Sequence, residues 1–369
     1  KTLPLLISDL GSGGAQKVAL QLAAFLAARG RAITLITLDD GKSDFHAVPP
    51  GVTRIALGLT HPSRSGWEAL RINAQRVWAL RRALKNPRPA AVISFIAPTN
   101  ILTILATRFL PIRVIISERN DPARQSFGRA WDLLRRIFYR FADSVTANSP
   151  HAVQAMKAYV PPQKLRFIPN AVSPMPQTAA RETMILGVGR LHPQKDFATL
   201  IDAFTVLHAQ RQDWTLTILG DGPLRELLQK QIDQAGLSDA VTLRGVVSNP
   251  QDYYARASIF ALPSLYEGTP NALLEAMSAG LPAVISDQCE GGLVYLQDGQ
   301  SGLVHHAGEA ADLARQLLRL IDDPALAHDA LRIGADHVER RRWTIGFFRI
   351  DRAGELADLA RQPLGSGVG

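Results

Sequence analysis

A chain of 369 residues with 46% apolar content can build two globular cores, and it lacks the low-complexity runs and short repeats of a disordered or solenoid protein. Its formal net charge of +8 is uneven: residues 1–172 hold 24 Lys and Arg against 9 Asp and Glu, a net of +15, and the remainder 17 against 24, a net of −7. One cysteine, Cys289, excludes an internal disulfide, and the most apolar run, 96–116, is broken by Asn100, Arg108 and Pro111, which excludes a clean membrane span.

The elements alternate from the start. Apolar runs at 3–10, 32–38, 91–95, 114–117, 144–147 and 165–168 read as strands, with a helix at 15–29 after the first and a looser segment after the second. Strands separated by helical spacing imply a parallel sheet with crossover helices. Residues 171–177 are rich in breakers and form the expected linker. A second series follows: a strand at 184–189, a helix from Asp196, a strand at 214–219 closed by Gly220-Asp-Gly-Pro223, a strand at 258–262 and a helix over 270–279 that begins at Pro270. Residues 343–361 have helical spacing, and the tail 363–369 reads as flexible.

Two stretches concentrate the basic charge. Arg71, Arg76, Arg81, Arg82 and Lys85 lie among Trp67, Leu70, Val77, Trp78 and Leu84, and Arg129, Arg135, Arg136 and Arg140 among Phe127, Trp131, Leu134, Ile137 and Phe138. Basic and bulky apolar residues at helical spacing describe a helix on an anionic bilayer, with Arg71, Trp78, Arg81, Arg82, Lys85, Trp131, Arg135 and Arg136 as the patch. The rival is an apolar stripe facing the core with solvated arginines. A nucleic-acid partner has no motif behind it.

The chemistry gathers at three strand ends, where open α/β sheets place ligands. Gly189 and Arg190 leave the strand at 184–189 and Lys195 follows; Gly220 and Gly222 turn the next; Glu267 stands in the loop before the helix at 270–279, and Glu275 lies inside it. The backbone of Gly268, Thr269, Pro270, Asn271, Ala272 and Leu273 would open that helix, a positive end suited to phosphate. Two carboxylates at a phosphate-binding helix point to a ligand with both hydroxyls and phosphate, a nucleotide sugar. Each fragment alone has an ordinary reading as a tight turn or a solvated face.

The order Gly189-Arg190, Lys195-Asp196, Gly220-Asp-Gly-Pro223, Glu267, Glu275 and Ala-Gly280-Leu-Pro282 resembles the retaining GT-B glycosyltransferases of glycosyltransferase family 4 (glycosyl transferases group 1). Gly13-Gly14, residues 143–149 and Ile168-Pro-Asn170 are similar to the family's landmarks in the first half. The resemblance implies an α/β GT-B fold: two facing Rossmann-like domains, 1–172 and 173–345, each with a parallel sheet, an interdomain cleft, and 346–369 crossing back to the first domain. It implies that Arg190 and Lys195 hold the donor diphosphate without a metal, that Glu267 stabilises the reacting sugar, and that Glu275 binds ribose hydroxyls. Gly13, Gly14, Gly189 and Gly220 would let backbone approach the donor. A salt link from Arg190 or Lys195 to Asp196 or Asp221 is the structural alternative.

Many relatives carry a histidine after the strand at 114–117; this chain has Glu118-Arg119-Asn120. Glu118 is therefore a candidate for a proton role, and Glu118, Arg119 and Asn120 for the acceptor. The expected activity is metal-independent, retaining transfer from a nucleotide-diphosphate donor, UDP-linked, to a lipid-linked or oligosaccharide acceptor of bacterial polysaccharide assembly. A monomeric cytoplasmic protein resting on the inner face of the membrane, with no cofactor, is expected. Rivals are a GT-B sugar-nucleotide epimerase, which needs no acceptor, and a non-catalytic protein that binds a nucleotide sugar or a membrane surface.

Overall fold

A computed structural model of the chain describes residues 2–42, 44–60, 65–86, 88–170, 175–176 and 181–329. The helix expected over 346–369 lies outside these residues, as does most of the expected linker. The chain divides into two compact units, the first reaching Asn170 and the second starting at Ala171.

In the first unit, strands β1 (Leu3–Ile7), β2 (Ile33–Thr37), β3 (Val52–Ala56), β4 (Ala91–Phe95), β5 (Arg113–Glu118), β6 (Ser144–Ala147) and β7 (Leu165–Phe167) form one sheet in the order 3-2-1-4-5-6-7. Every pairing is parallel. The helices are α1 (Gly14–Ala27), α2 (Gly66–Lys85), α3 (Ala97–Thr107), α4 (Arg129–Phe138) and α5 (Pro150–Met156). Two apolar layers cover the sheet: Leu20, Leu22 and Leu26 of α1 pack with Leu5, Ile7 and Leu35, and Leu80, Leu84, Ile101 and Ile104 pack with Leu6, Val114 and Ile116. The continuous apolar runs of β1, β4 and β5 follow from burial on both faces.

The second unit repeats the plan. Strands β8 (Met184–Val188), β9 (Thr215–Leu219), β10 (Val241–Gly245), β11 (Ile259–Leu262), β12 (Ala283–Ser286) and β13 (Leu303–His305) are ordered 10-9-8-11-12-13, again all parallel. Helices α6 (Phe197–His208), α7 (Arg225–Gln234) and α11 (Ala310–Asp322) pack on one face, and α8 (Gln251–Arg256), α9 (Asn271–Ser278) and α10 (Glu290–Leu293) lie with the other. In each sheet the strand order reverses once, between β1 and β4 and between β8 and β11, and such a switch leaves a crevice beyond the strands' carboxyl ends.

The two basic helices divide the expected membrane patch. On α2, Trp67 (84% exposed), Leu70, Arg71, Trp78, Arg82 and Lys85 share one solvent-facing stripe, while Leu80 and Leu84 face the core. Arg81 is turned inward, donating to Ala106 O (3.0 Å) and Arg108 O (2.8 Å). On α4 the expectation is corrected for two residues. Trp131, with Leu134 and Phe138, packs against the core, and Arg135 is buried because its guanidinium bonds Pro122 O (3.0 Å), Gln125 O and Asp132. Arg136 stays exposed.

Candidate active site

The polar residues of the second unit converge on the switch between β8 and β11. The chain leaves β8 through Gly189, Arg190 and a short 3-10 turn, Pro193–Lys195, whose first amide is capped by the His192 ring. Asp196 takes a left-handed conformation (φ 48°) and turns the chain into α6, with Thr199 Oγ1 donating to its carboxylate (2.8 Å). From β11 the chain runs through Ser264, Tyr266 and Glu267 into α9, where the first internal bond is Leu274 N–H to Pro270 O.

Two hydrogen bonds fasten these loops together. Leu265 N–H donates to Gln194 O and the Gln194 amide donates to Tyr266 O, both at 2.8 Å. The result is direct contact between Lys195 Nζ and Glu267 Oε1, with both side chains largely buried. An ammonium and a carboxylate this close form a fixed dipole at the mouth of the crevice, strengthened by partial exclusion of water. The structural alternative for the cations does not hold. Asp221 faces Arg225 and its own neighbour Gly222, Asp196 is engaged by Thr199, and Arg190 is exposed with no side-chain partner among the described residues.

The glycines of the site are set by close approach. A Cβ on Gly220, which also has φ +130°, would lie 1.9 Å from Gly189 O, and one on Gly222 would lie 2.4 Å from Leu191 O. The β9 turn therefore presses against the loop carrying Arg190, and Leu191 N–H donates to Asp221 O (3.0 Å). Gly189 itself backs onto the Lys195 side chain. On the other side Gly291 lies so close to Gly268 that a Cβ would sit 1.8 Å from its carbonyl oxygen.

Sequence reasoning missed two participants. Gln194 is the bridge between the two loops, and Gly291 backs onto Gly268. Cys289 is an ordinary buried core residue, and burial pushes its thiol up. Only the glycine pair at 291–292 left a signal in the sequence.

Glu275 sits on α9 at 9% exposure, and Thr269 and Gly268 are buried at its start. The buried Tyr254 phenol is raised well above its ordinary value, first by burial and then by the neighbouring Glu275 carboxylate. Asn271 and Ala272 are half-buried at the opening of α9, while Leu273 is fully buried in the core.

In the first unit Gly13 and Gly14 stand exposed at the start of α1, after β1, and Gly13 has an ordinary φ of −75°. The two glycines are not required there by backbone geometry. The end of β5 departs from expectation at Glu118. That side chain is 1% exposed, accepts from Tyr139 Oη (2.8 Å) and lies 4.0 Å from Arg135, in a network that continues through Asn100 to Ser94. It belongs to the interior of the unit, which corrects its expected contact with the acceptor. Burial raises the Glu118 carboxyl, against the opposing pull of Arg135. Arg119 donates to Asn170 Oδ1 (2.7 Å), tying the end of β5 to the segment 168–170, and burial lowers it to about 10. Asn120 is half-buried and accepts from Asp121 N–H.

Comparison with known proteins gives the family and the fold. A family model described as "Glycosyl transferase 4-like domain" matches residues 13–171, and one described as "Glycosyl transferases group 1" matches 175–336. The chain belongs to the family 4 glycosyltransferases, with the GT-B fold. This glycosyltransferase is 27% identical to a Campylobacter jejuni GalNAc-α-(1→4)-GalNAc-α-(1→3)-diNAcBac-PP-undecaprenol α-1,4-N-acetyl-D-galactosaminyltransferase, over 87% of this chain and 89% of the relative. Among solved structures it is similar to sucrose-phosphate synthase from Thermosynechococcus elongatus, with TM-score 0.80, 20% identity and coverage of 92% and 94%. It is also similar to Anabaena HepE in complex with UDP and glucose, with TM-score 0.75, 19% identity and coverage of 92% and 95%. No described helix is long and apolar enough to cross a membrane.

Proposed function

We propose that this glycosyltransferase moves a sugar from a UDP-linked donor to a lipid-linked saccharide at a membrane surface, with retention of anomeric configuration and without a metal. The observation that carries the reading is the set Arg190, Lys195 and Glu267 gathered at the switch between β8 and β11. As the glycosidic bond to the nucleoside diphosphate breaks, negative charge grows on the distal phosphate. Arg190 and Lys195 supply the cations that meet it, a stabilisation greatest in the transition state. Glu267, held by Lys195, turns a carboxylate toward the developing oxocarbenium centre, and Glu275 takes the ribose hydroxyls. The UDP and glucose of HepE support a UDP-sugar, and the undecaprenol-linked saccharide named for the Campylobacter enzyme supports a lipid-linked acceptor. The exposed stripe of α2 supports peripheral docking. Arg119 and Asn120 are the residues proposed for the acceptor.

The test is an assay with a panel of labelled UDP-sugars and an undecaprenyl-diphosphate oligosaccharide in EDTA, with the product anomer read by NMR. Transfer with an α product from an α donor is expected, and Lys195→Ala should reduce kcat by about 10²–10³. Turnover of the donor without an acceptor would favour an epimerase; an inverted product or an absolute need for metal would overturn the mechanism.

A further inference from the structure

At the amino ends of β4 and β5, the first unit has a feature built from three segments. Helix α3 ends at Thr107 with Arg108 as its C-cap, and the residue after the cap, where glycine or asparagine usually takes the left-handed turn, is Phe109 with φ +64°. This phenylalanine is 91% exposed, the highest value among the exposed large apolar side chains of the described residues. A β-carbon in that conformation is disfavoured, so the turn persists because its surroundings hold it. Arg81 of α2 does so by bonding the carbonyls of Ala106 and Arg108. Arg108 in turn lies over the rings of Phe109 (5.3 Å) and Phe141 (4.6 Å).

Beside the turn is a hollow of about 890 Å³ lined by Lys85, Arg88, Leu110, Pro111 and Arg113. The acid on its rim, Asp143, is engaged by the Val114 amide (2.7 Å). Helix α2 connects this edge to the rest of the flank. Its exposed stripe runs from Trp67 and Leu70 through Arg71, Trp78 and Arg82 to Lys85 at the hollow, and the acidic Glu68 falls off that line.

We propose that α2 lies flat on an anionic bilayer and that the α3–β5 turn is its second anchor, with Phe109 inserted among the acyl chains and Lys85, Arg88 and Arg113 holding lipid phosphate in the hollow. The proposal rests on the membrane-associated reading above and adds the place and the geometry of contact. Charge selects the occupant: a unit of net +15 presents aromatic and cationic side chains together, the composition of an interfacial surface. Because α2 runs antiparallel to the strands it connects, Lys85 marks the edge at the strands' amino ends and Trp67 the edge at their carboxyl ends, where Arg119 and Asn120 follow β5. The bilayer plane then follows the flank of the unit, and an acceptor can rise from the membrane at the Trp67 end.

The experiment is co-sedimentation with vesicles of phosphatidylcholine mixed with phosphatidylglycerol, and with phosphatidylcholine alone. The full chain is compared with Phe109→Ser, Arg88→Ser/Arg113→Ser and Trp67→Ser/Trp78→Ser, with UDP affinity and circular dichroism as controls for folding. Phe109→Ser should weaken vesicle binding about tenfold, and each lost cation about fivefold, with UDP binding unchanged. If the wild type binds anionic vesicles and Phe109→Ser and the double arginine variant bind equally well, this second anchor is wrong while the membrane reading stands. If the wild type binds no vesicles, the membrane reading itself fails. Equal binding to both vesicle types would overturn the selection of an anionic bilayer by charge.

Discussion

Buried charge decides what Glu118 does. Removing its carboxylate leaves Arg135 with Asp132 and carbonyl partners only, and an incompletely compensated buried cation is costly. Glu118→Gln should therefore lower stability by about 1–3 kcal/mol while leaving kcat within a few-fold of wild type. Urea unfolding and steady-state kinetics check this. A hundredfold loss of kcat with unchanged stability would restore the proton role. His305 offers a separate test. Its ring is buried, Nδ1 faces His306 O, Nε2 has no partner among the described residues, and burial lowers its pKa. A base whose folded pKa lies below 6.5 contributes stability that is present above 6.5 and lost as pH falls, because the unfolded chain binds the proton first. The exposed His306, raised by its hydrogen bond to Asp287, acts in the opposite direction above 6.5. Thermal stability should fall on acidification below pH 6.5, and His305→Gln should flatten that part of the profile; an unchanged slope would contradict it.

Between elements, the donor loops are shaped by backbone contact more than by side chains. Gly220 lets the β9 turn press on Gly189, so Gly220→Ala must displace one loop or the other. A cost on the order of 3 kcal/mol or more follows from the clash and the strained φ together. Gly236→Ala is the control. It shares a left-handed φ (+68°) but has nothing within 4 Å of the added carbon, so about 1 kcal/mol is expected. Urea titration of both variants checks the difference, and equal costs would mean that the close approach is not maintained in solution. Strand legibility follows the same division between contact and exposure. Runs such as 91–95 and 144–147 were readable because both faces of a central parallel strand are apolar. Strand β3 hid in the looser segment because it is an edge strand, largely open to solvent, with Arg54 at its centre. Helix α4 reads as an amphipathic surface helix because nothing local to it reveals that Arg135 has carbonyl partners ten and thirteen residues earlier.

At the scale of the whole chain, the two units carry opposite net charge on the same doubly wound plan. Both plans were legible, since alternating strands and crossover helices leave few other arrangements. That Arg190, Lys195 and Glu267 follow the carboxyl ends of β8 and β11 was legible as well, because each follows a readable strand. The Lys195–Glu267 contact was not, since the partners are 72 residues apart and only the packing of β8 against β11 brings them together. That contact gives the central claim its direct test. Calorimetric titration with UDP, GDP and ADP in EDTA should be run on the wild type and on Arg190→Ala/Lys195→Ala. The account predicts metal-free binding of UDP by the wild type and its loss in the double variant. Binding of none of the three, or UDP binding that survives both substitutions, would contradict a diphosphate clamp at the β8–β11 switch.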